Sequence, residues 1–307
     1  MEREFSRGLY QNKAGGWMKK LTVISGKGGT GKTTVTANLA ALADNLILAD
    51  CDVDAPNMHL LMKPEVIEAE VFKGAKVAVK DQLKCIECGL CKELCNFKAI
   101  TSDFKVDEIR CEGCGLCVAK CPSDALKLEL EETGDLYYSQ TKFAPMVHAK
   151  LKIGAENSGK LVSQVKEKAE SLAQQQEKEL LLIDGSPGIG CPVIASINGV
   201  DSVLVVTEPT KSGLADLKRV LKTVKYFNLP AVVAINKYDL NQEISLEIES
   251  FCRQIQVKIV GKLPFSKVIV EAMQQGELVV ESAPESKVAA ALKELWQELS
   301  YELRIKS

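Results

Sequence analysis

The chain has 307 residues, 46% apolar and 26% charged, with 39 basic against 41 acidic side chains. That length predicts a globular protein of about two domains, and the near-neutral balance gives no electrostatic footprint for a nucleic-acid partner. No apolar run reaches the length of a membrane span, and eleven cysteines in a long chain without a cleavable signal segment point to metal ligation in a reducing cytoplasm rather than to disulfides.

Residues 1–17 lack clear periodicity and are set aside as an N-terminal extension or leader. Residues 21–25 read as a strand, and residues 32–43 carry Val35, Leu39 and Leu42 at helical spacing. Between them Gly26-Lys27-Gly28-Gly29-Thr30-Gly31-Lys32-Thr33-Thr34 fits a phosphate-binding loop. Its glycines let backbone N–H groups approach phosphate, Lys32 reaches the β and γ phosphates, and the Thr33 hydroxyl binds Mg²⁺. Residues 46–50 form a second buried strand that runs into Asp50-Cys51-Asp52-Val53-Asp54, three carboxylates that would repel without a cation.

Further apolar runs follow the same plan: 180–183 before Asp184, 203–207 before Glu208, and 231–235 before Asn236. Helical segments lie between them, including 161–179 with a stripe of Leu161, Val162, Val165, Ala169 and Leu172. Alternating strands and helices predict an α/β fold with a doubly wound, mostly parallel sheet, whose ligands sit beyond the carboxyl ends of the strands. Every polar motif named here lies at such an end, and Asp184 is placed to hold Mg²⁺ with Thr33.

Eight cysteines interrupt this plan as two copies of one spacing, Cys85-x2-Cys88-x2-Cys91-x3-Cys95 and Cys111-x2-Cys114-x2-Cys117-x3-Cys121, offset by 26 residues. In such runs three cysteines serve one 4Fe–4S cluster and the fourth serves the other. Crossing the ligands assigns Cys85, Cys88, Cys91 and Cys121 to one cluster and Cys111, Cys114, Cys117 and Cys95 to the second. Zinc competes for close cysteine pairs but has no use for the third cysteine at x2. Cys121 is followed by the customary proline, whereas Cys95 precedes Asn96. The expected organisation is 1–17 extension, 18–77 nucleotide domain, 78–130 inserted α+β module and 131–307 return to the nucleotide domain.

Gly-Lys-Gly-Gly-Thr-Gly-Lys-Thr at 26–33 resembles the deviant phosphate loop of the MinD, ParA and nitrogenase-iron-protein superfamily, and the cysteine segment resembles bacterial two-cluster ferredoxins. Together the chain resembles MinD-superfamily P-loop ATPases that contain an inserted ferredoxin domain. The resemblance implies a homodimer formed on ATP binding and Mg²⁺-dependent hydrolysis. It makes Lys27 the residue that reaches the partner's nucleotide, Asp52 the one that positions water, and a glycine such as Gly188, in Asp184-Gly185-Ser186-Pro187-Gly188, a γ-phosphate sensor. Asn236-Lys237-Tyr238-Asp239 has the form of a guanine-reading motif, yet MinD-like ATPases also place an asparagine here on adenine, which favours ATP.

The function this implies is nucleotide-gated electron transfer to an unknown redox partner protein. Mrp-type cluster or metal carriage, and MinD-like spatial organisation, are the alternatives. Val288, Leu292, Leu295, Leu299 and Leu303 form a helical stripe near the C-terminus, but Glu294, Glu298 and Glu302 on the polar face favour a core-closing helix over membrane association. Cys51 and Cys252 read as packing residues. Cys191 matches a cluster-ligand position of nitrogenase iron protein without that protein's second cysteine, and a structural or transient role is preferred for it.

Overall fold

The structure, a computed structural model, describes residues 18–108, 110–152, 155 and 158–305. Its strands are β1 Lys19–Ser25, β2 Leu46–Asp50, β3 Glu65–Lys80, β4 Leu126–Gln140, β5 Pro145–Leu151, β6 Leu180–Pro187, β7 Ser202–Thr207, β8 Ala231–Asn236 and β9 Lys258–Leu263. They form one sheet in the order β3-β4-β5-β2-β6-β1-β7-β8-β9. Every pairing from β5 across to β9 is parallel, while β4 runs antiparallel to both β5 and β3. The helices are α1 Lys32–Leu42, α2 Met58–Met62, α3 Leu90–Leu94, α4 Leu116–Ala119, α5 Ser158–Gln175, α6 Cys191–Ile197, α7 Lys211–Tyr226, α8 Gln242–Gln254, α9 Lys267–Gln275, α10 Val279–Ser282 and α11 Lys287–Leu303.

Central strands read as unbroken apolar runs because both faces of the sheet are covered. Along β6, Leu180 and Leu182 enter the core beneath α1 and α11, whereas Leu181 and Ile183 enter the opposite core beneath α5, α6, α7 and α8. The stripe Val288, Leu292, Leu295, Leu299 and Leu303 of α11 is buried in the first core, so this helix closes the fold. Cys252 and Cys51 are buried in the second core.

The edge of the sheet differs. β3 and β4 pair from Glu65 with Gln140 to Lys80 with Leu126, but β4 meets β5 only between Gln140 with Pro145 and Gly134 with Leu151. The remaining residues of β3 and β4 project as a two-stranded arm past the carboxyl ends of the parallel strands. With a rise of about 3.3 Å per residue the arm is on the order of 25 Å long. At its base the ladder shifts register around Phe72, Lys73 and Ala75, and Gly74 donates its N–H to Thr133 Oγ1 (3.0 Å), leaving the Phe72 ring where a Cβ would go. The cysteine segment joins the two strands at the tip. The expected boundaries at 78 and 130 therefore fall inside β3 and β4, and the module shares its outer strands with the main sheet.

Candidate nucleotide site and cysteine cavities

β1 delivers the chain at its carboxyl end into the loop 26–31, which opens α1. Close approach explains two of the glycines: a Cβ on Gly31, whose φ is 88°, would run into the Asn236 amide, and one on Gly26 would strike Asp216 of α7. The Asn236 amide donates to the Thr30 carbonyl at 2.7 Å and ties the loop to the end of β8. Beside Gly28 and Gly29 a Cβ would meet nothing within 4 Å. The first turn of α1 carries no side-chain cap and no acidic residue and lines the cleft together with the loop, the arrangement that receives a phosphate.

Three carboxylates and one ammonium meet beneath this loop. Lys32 Nζ lies 2.9 Å from Asp184 Oδ2 and 3.8 Å from Asp52 Oδ2. Asp184 also accepts the hydroxyls of Thr33 (2.7 Å) and Thr36 (2.9 Å). Burial alone would lower the Lys32 pKa, but Asp184, Asp52 and Asp50 outweigh it and raise the pKa. Burial, reinforced by Asp184, pushes Asp50 up to about 8, and burial with Asp184 also raises Asp52 against the pull of Lys32. Asp50 Oδ2 and Thr30 Oγ1 are buried without a hydrogen-bond partner among the described residues. Carboxylates this crowded, an orphaned carboxyl oxygen and the Thr33 hydroxyl form a hard oxygen donor set that suits Mg²⁺.

Lys27 turns the other way. Its Nζ pairs with Glu208 at 2.7 Å and reaches Ser212 at 3.1 Å, while Lys237 holds the second oxygen of Glu208 at 3.3 Å. Burial would raise the Glu208 carboxyl, and these two lysines hold it below its ordinary value instead. Sequence reasoning placed Glu208 at a strand end and missed this contact, whose partners lie far apart in the chain. It missed Thr36 as well, although Thr36 follows Lys32 by one helical turn.

Of the remaining expected residues, Asp52 and Asn236 line the same cleft, together with Pro187, Phe265 and Met273. Gly188 (φ 94°) donates its N–H to the Ser25 carbonyl at 2.8 Å. Asp239, the carboxylate of the guanine-reading form, is engaged elsewhere: its Oδ1 accepts the Phe265 N–H at 2.7 Å. Cys191 is exposed at the start of α6, packed beside Gly159.

The eight clustered cysteines line two cavities. Cys85, Cys88, Cys91 and Cys121 surround one, and Cys95, Cys111, Cys114 and Cys117 surround the other, so the fourth cysteine of each run faces the three of the other run. Backbone N–H groups point at the sulfurs: Ala99 to Cys95 and Ala125 to Cys121, both at 3.3 Å, and Ala78 to Cys111 at 3.4 Å. Burial works against ionisation of Cys121, but the amides of Ser123 and Ala125 and the Ser123 hydroxyl bring its pKa below the ordinary thiol value. Among the described residues no three metal-ligating side chains converge on a single ion; the four thiols of each set stand around a space instead. Donors aimed at sulfur and thiols ringing a cavity fit an iron–sulfur cluster.

Among known proteins, MJ0578 of Methanocaldococcus jannaschii is 35% identical over 293 residues, covering 92% of this chain and 97% of that protein. An iron-sulfur cluster carrier protein of the same organism is 23% identical over 84% of this chain and 76% of its own length. Of solved structures, the septum site-determining protein MinD of Pyrococcus horikoshii, complexed with Mg-ADP, superposes with a TM-score of 0.59 at 20% identity, covering 94% of this chain and 99% of that one. The fold is thus the one that MinD adopts. Residues 21–279 match the CobQ/CobB/MinD/ParA nucleotide binding domain, and the chain belongs to that family of P-loop nucleotide-binding proteins.

Proposed function

We propose that the chain is an ATP-hydrolysing, dimer-forming iron–sulfur protein in which nucleotide state governs electron transfer through two 4Fe–4S clusters. The observation that carries this reading is the pair of four-cysteine cavities at the tip of an arm that leaves the sheet at its nucleotide end. Each cluster, when bound, would supply a one-electron carrier.

The chain's own residues divide the work. Gly26 to Thr34 cradle the phosphates, with Lys32 leaving Asp184 to neutralise the β and γ oxygens, and Thr33 and Asp184 hold Mg²⁺. Asp52 orients the attacking water, Asn236 stands at the base, and Gly188 exchanges its Ser25 contact as the γ-phosphate comes and goes. Adenine is favoured over guanine because Asp239 is already committed to the Phe265 amide. Lys27 exchanges Glu208 for the nucleotide of a second copy, which makes the active form a homodimer. The thiolate sets would keep their clusters in a reducing cytoplasm, where a redox partner protein receives the electrons.

Anaerobic purification with iron and sulfide analysis tests the reading: two 4Fe–4S clusters per chain are expected, and one zinc without sulfide would overturn it. The relative named as an iron-sulfur cluster carrier favours a second reading, in which the chain hands on a cluster. Cluster carriage predicts loss of iron to an apo-acceptor when the two are mixed anaerobically with ATP; electron transfer predicts that the iron stays.

A further inference from the structure

We propose that the backbone amide of Ala78 in β3 raises the reduction potential of the cluster held by Cys95, Cys111, Cys114 and Cys117 and leaves the other cluster untouched. The inference rests on the reading that both cysteine sets hold clusters.

The two halves of the module are related by a local twofold that the hydrogen bonds follow residue by residue. Asp81 N–H donates to the Ala125 carbonyl and Asp107 N–H to the Ala99 carbonyl, both at 2.7 Å and each 26 residues from its counterpart. Left-handed backbone recurs at Glu87 and Gly113, Gly89 and Gly115, and Lys98 and Asp124. The amides of Ala99 and Ala125 meet Cys95 and Cys121 at the same 3.3 Å. Solvent exposure matches too: Cys88 and Cys114 are exposed, and the other six are half-buried.

The symmetry breaks where the arm enters. Ala78 N–H is given to Cys111 Sγ, but the equivalent amide, Phe104 N–H, is given to the Thr101 carbonyl at 3.1 Å. Gly113 lies against the Lys76 carbonyl so closely that a Cβ would collide with it. Residues 76 and 78 share one side of a pleated strand, and β3 is the edge of the sheet. The free edge of the arm is therefore covered by the 111–113 turn, and one amide of a strand continuous with the nucleotide domain is left pointing at a thiolate.

A donor N–H beside a ligand sulfur stabilises the added negative charge of the reduced cluster, and hydrogen bonds to sulfur are among the main determinants of potential. Other features differ between the cavities, including Ser123 Oγ at 3.7 Å from Cys121, Lys80 at one cavity and Glu112 at the other. These fix the resting gap between the two clusters, so the informative change is the one seen within a single cluster when only the Ala78 amide is removed.

Ala78→Pro removes the donor, but its ring also presses on Cys111 Sγ, which lies 3.4 Å from the nitrogen, so an isosteric change is needed beside it. The full-length protein, loaded anaerobically, is followed by potentiometry with electron paramagnetic resonance, and the two waves are assigned by Cys88→Ser and Cys114→Ser, each of which perturbs its own cluster. The wave perturbed by Cys114→Ser is expected to move to lower potential in Ala78→Pro, with the wave perturbed by Cys88→Ser unmoved. An ester in place of the Val77–Ala78 peptide bond, which exchanges only N–H for O, should reproduce the shift and decides the matter if the proline variant loses iron. Both waves unmoved at full iron and sulfide content, or a shift in the Cys88 wave, would overturn the inference alone. Absence of iron and sulfide from the wild-type protein would instead overturn the functional reading on which it rests.

Discussion

The nucleotide domain and the cysteine module solve opposite physical problems. In the first, β1, β6 and β7 are buried on both faces between two apolar cores, and the charged site is assembled on top of that rigid support. In the second, α3 and α4 bury no residue, and the apolar interior reduces to a few side chains such as Ala99, Ile100, Ala125 and Leu126. Leu83 and Ile86 stand beside the first cysteine at 99% and 64% exposure. A segment this small and this poor in buried apolar surface needs a staple, and the thiols are the groups able to bind one. The sequence of one region specifies a core, and that of the other a doubled set of thiols around two cavities.

The largest expected effect breaks the two apart. Stripping iron anaerobically with a chelator should collapse amide protection across the cysteine module, while the amides of β1, β6 and β7 keep theirs; hydrogen exchange reads both regions at once. Protection that persists in the module without iron would show that packing alone holds it. Next in size, Leu299→Ala in α11 should cost about 2–5 kcal/mol of stability, whereas Leu83→Ala at the module should stay within about 0.5 kcal/mol. Denaturant unfolding of both variants checks the contrast.

Within the nucleotide domain, Lys27 and Lys32 sharpen the comparison further. Lys32→Ala should abolish tight nucleotide binding, since Lys32 is buried among the site's carboxylates. Lys27→Ala should leave binding largely intact and weaken ATP-dependent dimerisation by roughly 10- to 100-fold, the scale of one charged hydrogen bond. Sedimentation with a slowly hydrolysed ATP analogue measures this, and a variant that dimerises normally removes Lys27 from the interface. The smallest effect is a pH dependence. Burial, aided by the nearby charge of His59, lowers His148 to about 4, so the unfolded chain binds the proton more readily. Stability carried by neutral His148 is complete well above pH 6.5 and is lost progressively as pH falls toward 4. His148→Gln should flatten thermal unfolding midpoints across that range.

What was legible in the sequence follows from how the chemistry is spelled. The phosphate loop and the cysteine runs need their residues consecutive, so Gly26 to Thr34 and the doubled cysteine spacing could be read directly. The parallel strands were legible because burial on both faces leaves unbroken apolar runs. The edge of the sheet was not: Glu65-Val-Ile-Glu-Ala-Glu-Val is exposed on both faces and carries charges that pair with Lys168 of α5, so it has neither strand alternation nor a buried run. Contacts between distant segments were equally hidden. Glu208 could be seen at a strand end, but nothing local announces that it holds Lys27 and Lys237. The Asn-Lys-x-Asp pattern fitted two bases, and the contact of Asp239 with the Phe265 amide joins segments too far apart in the chain to be read from it.

The central claim is that the nucleotide site and the thiol module are energetically coupled. Its most direct test is an anaerobic titration of ATP into the fully loaded protein, once with the clusters oxidised and once with them reduced. Coupling requires that the two redox states bind ATP with different affinities and, by linkage, that ATP shifts the potential of at least one cluster by the matching free energy. Equal affinities in both states, with both clusters present and the potentials unmoved by ATP, would contradict it and leave the module a passenger on the arm.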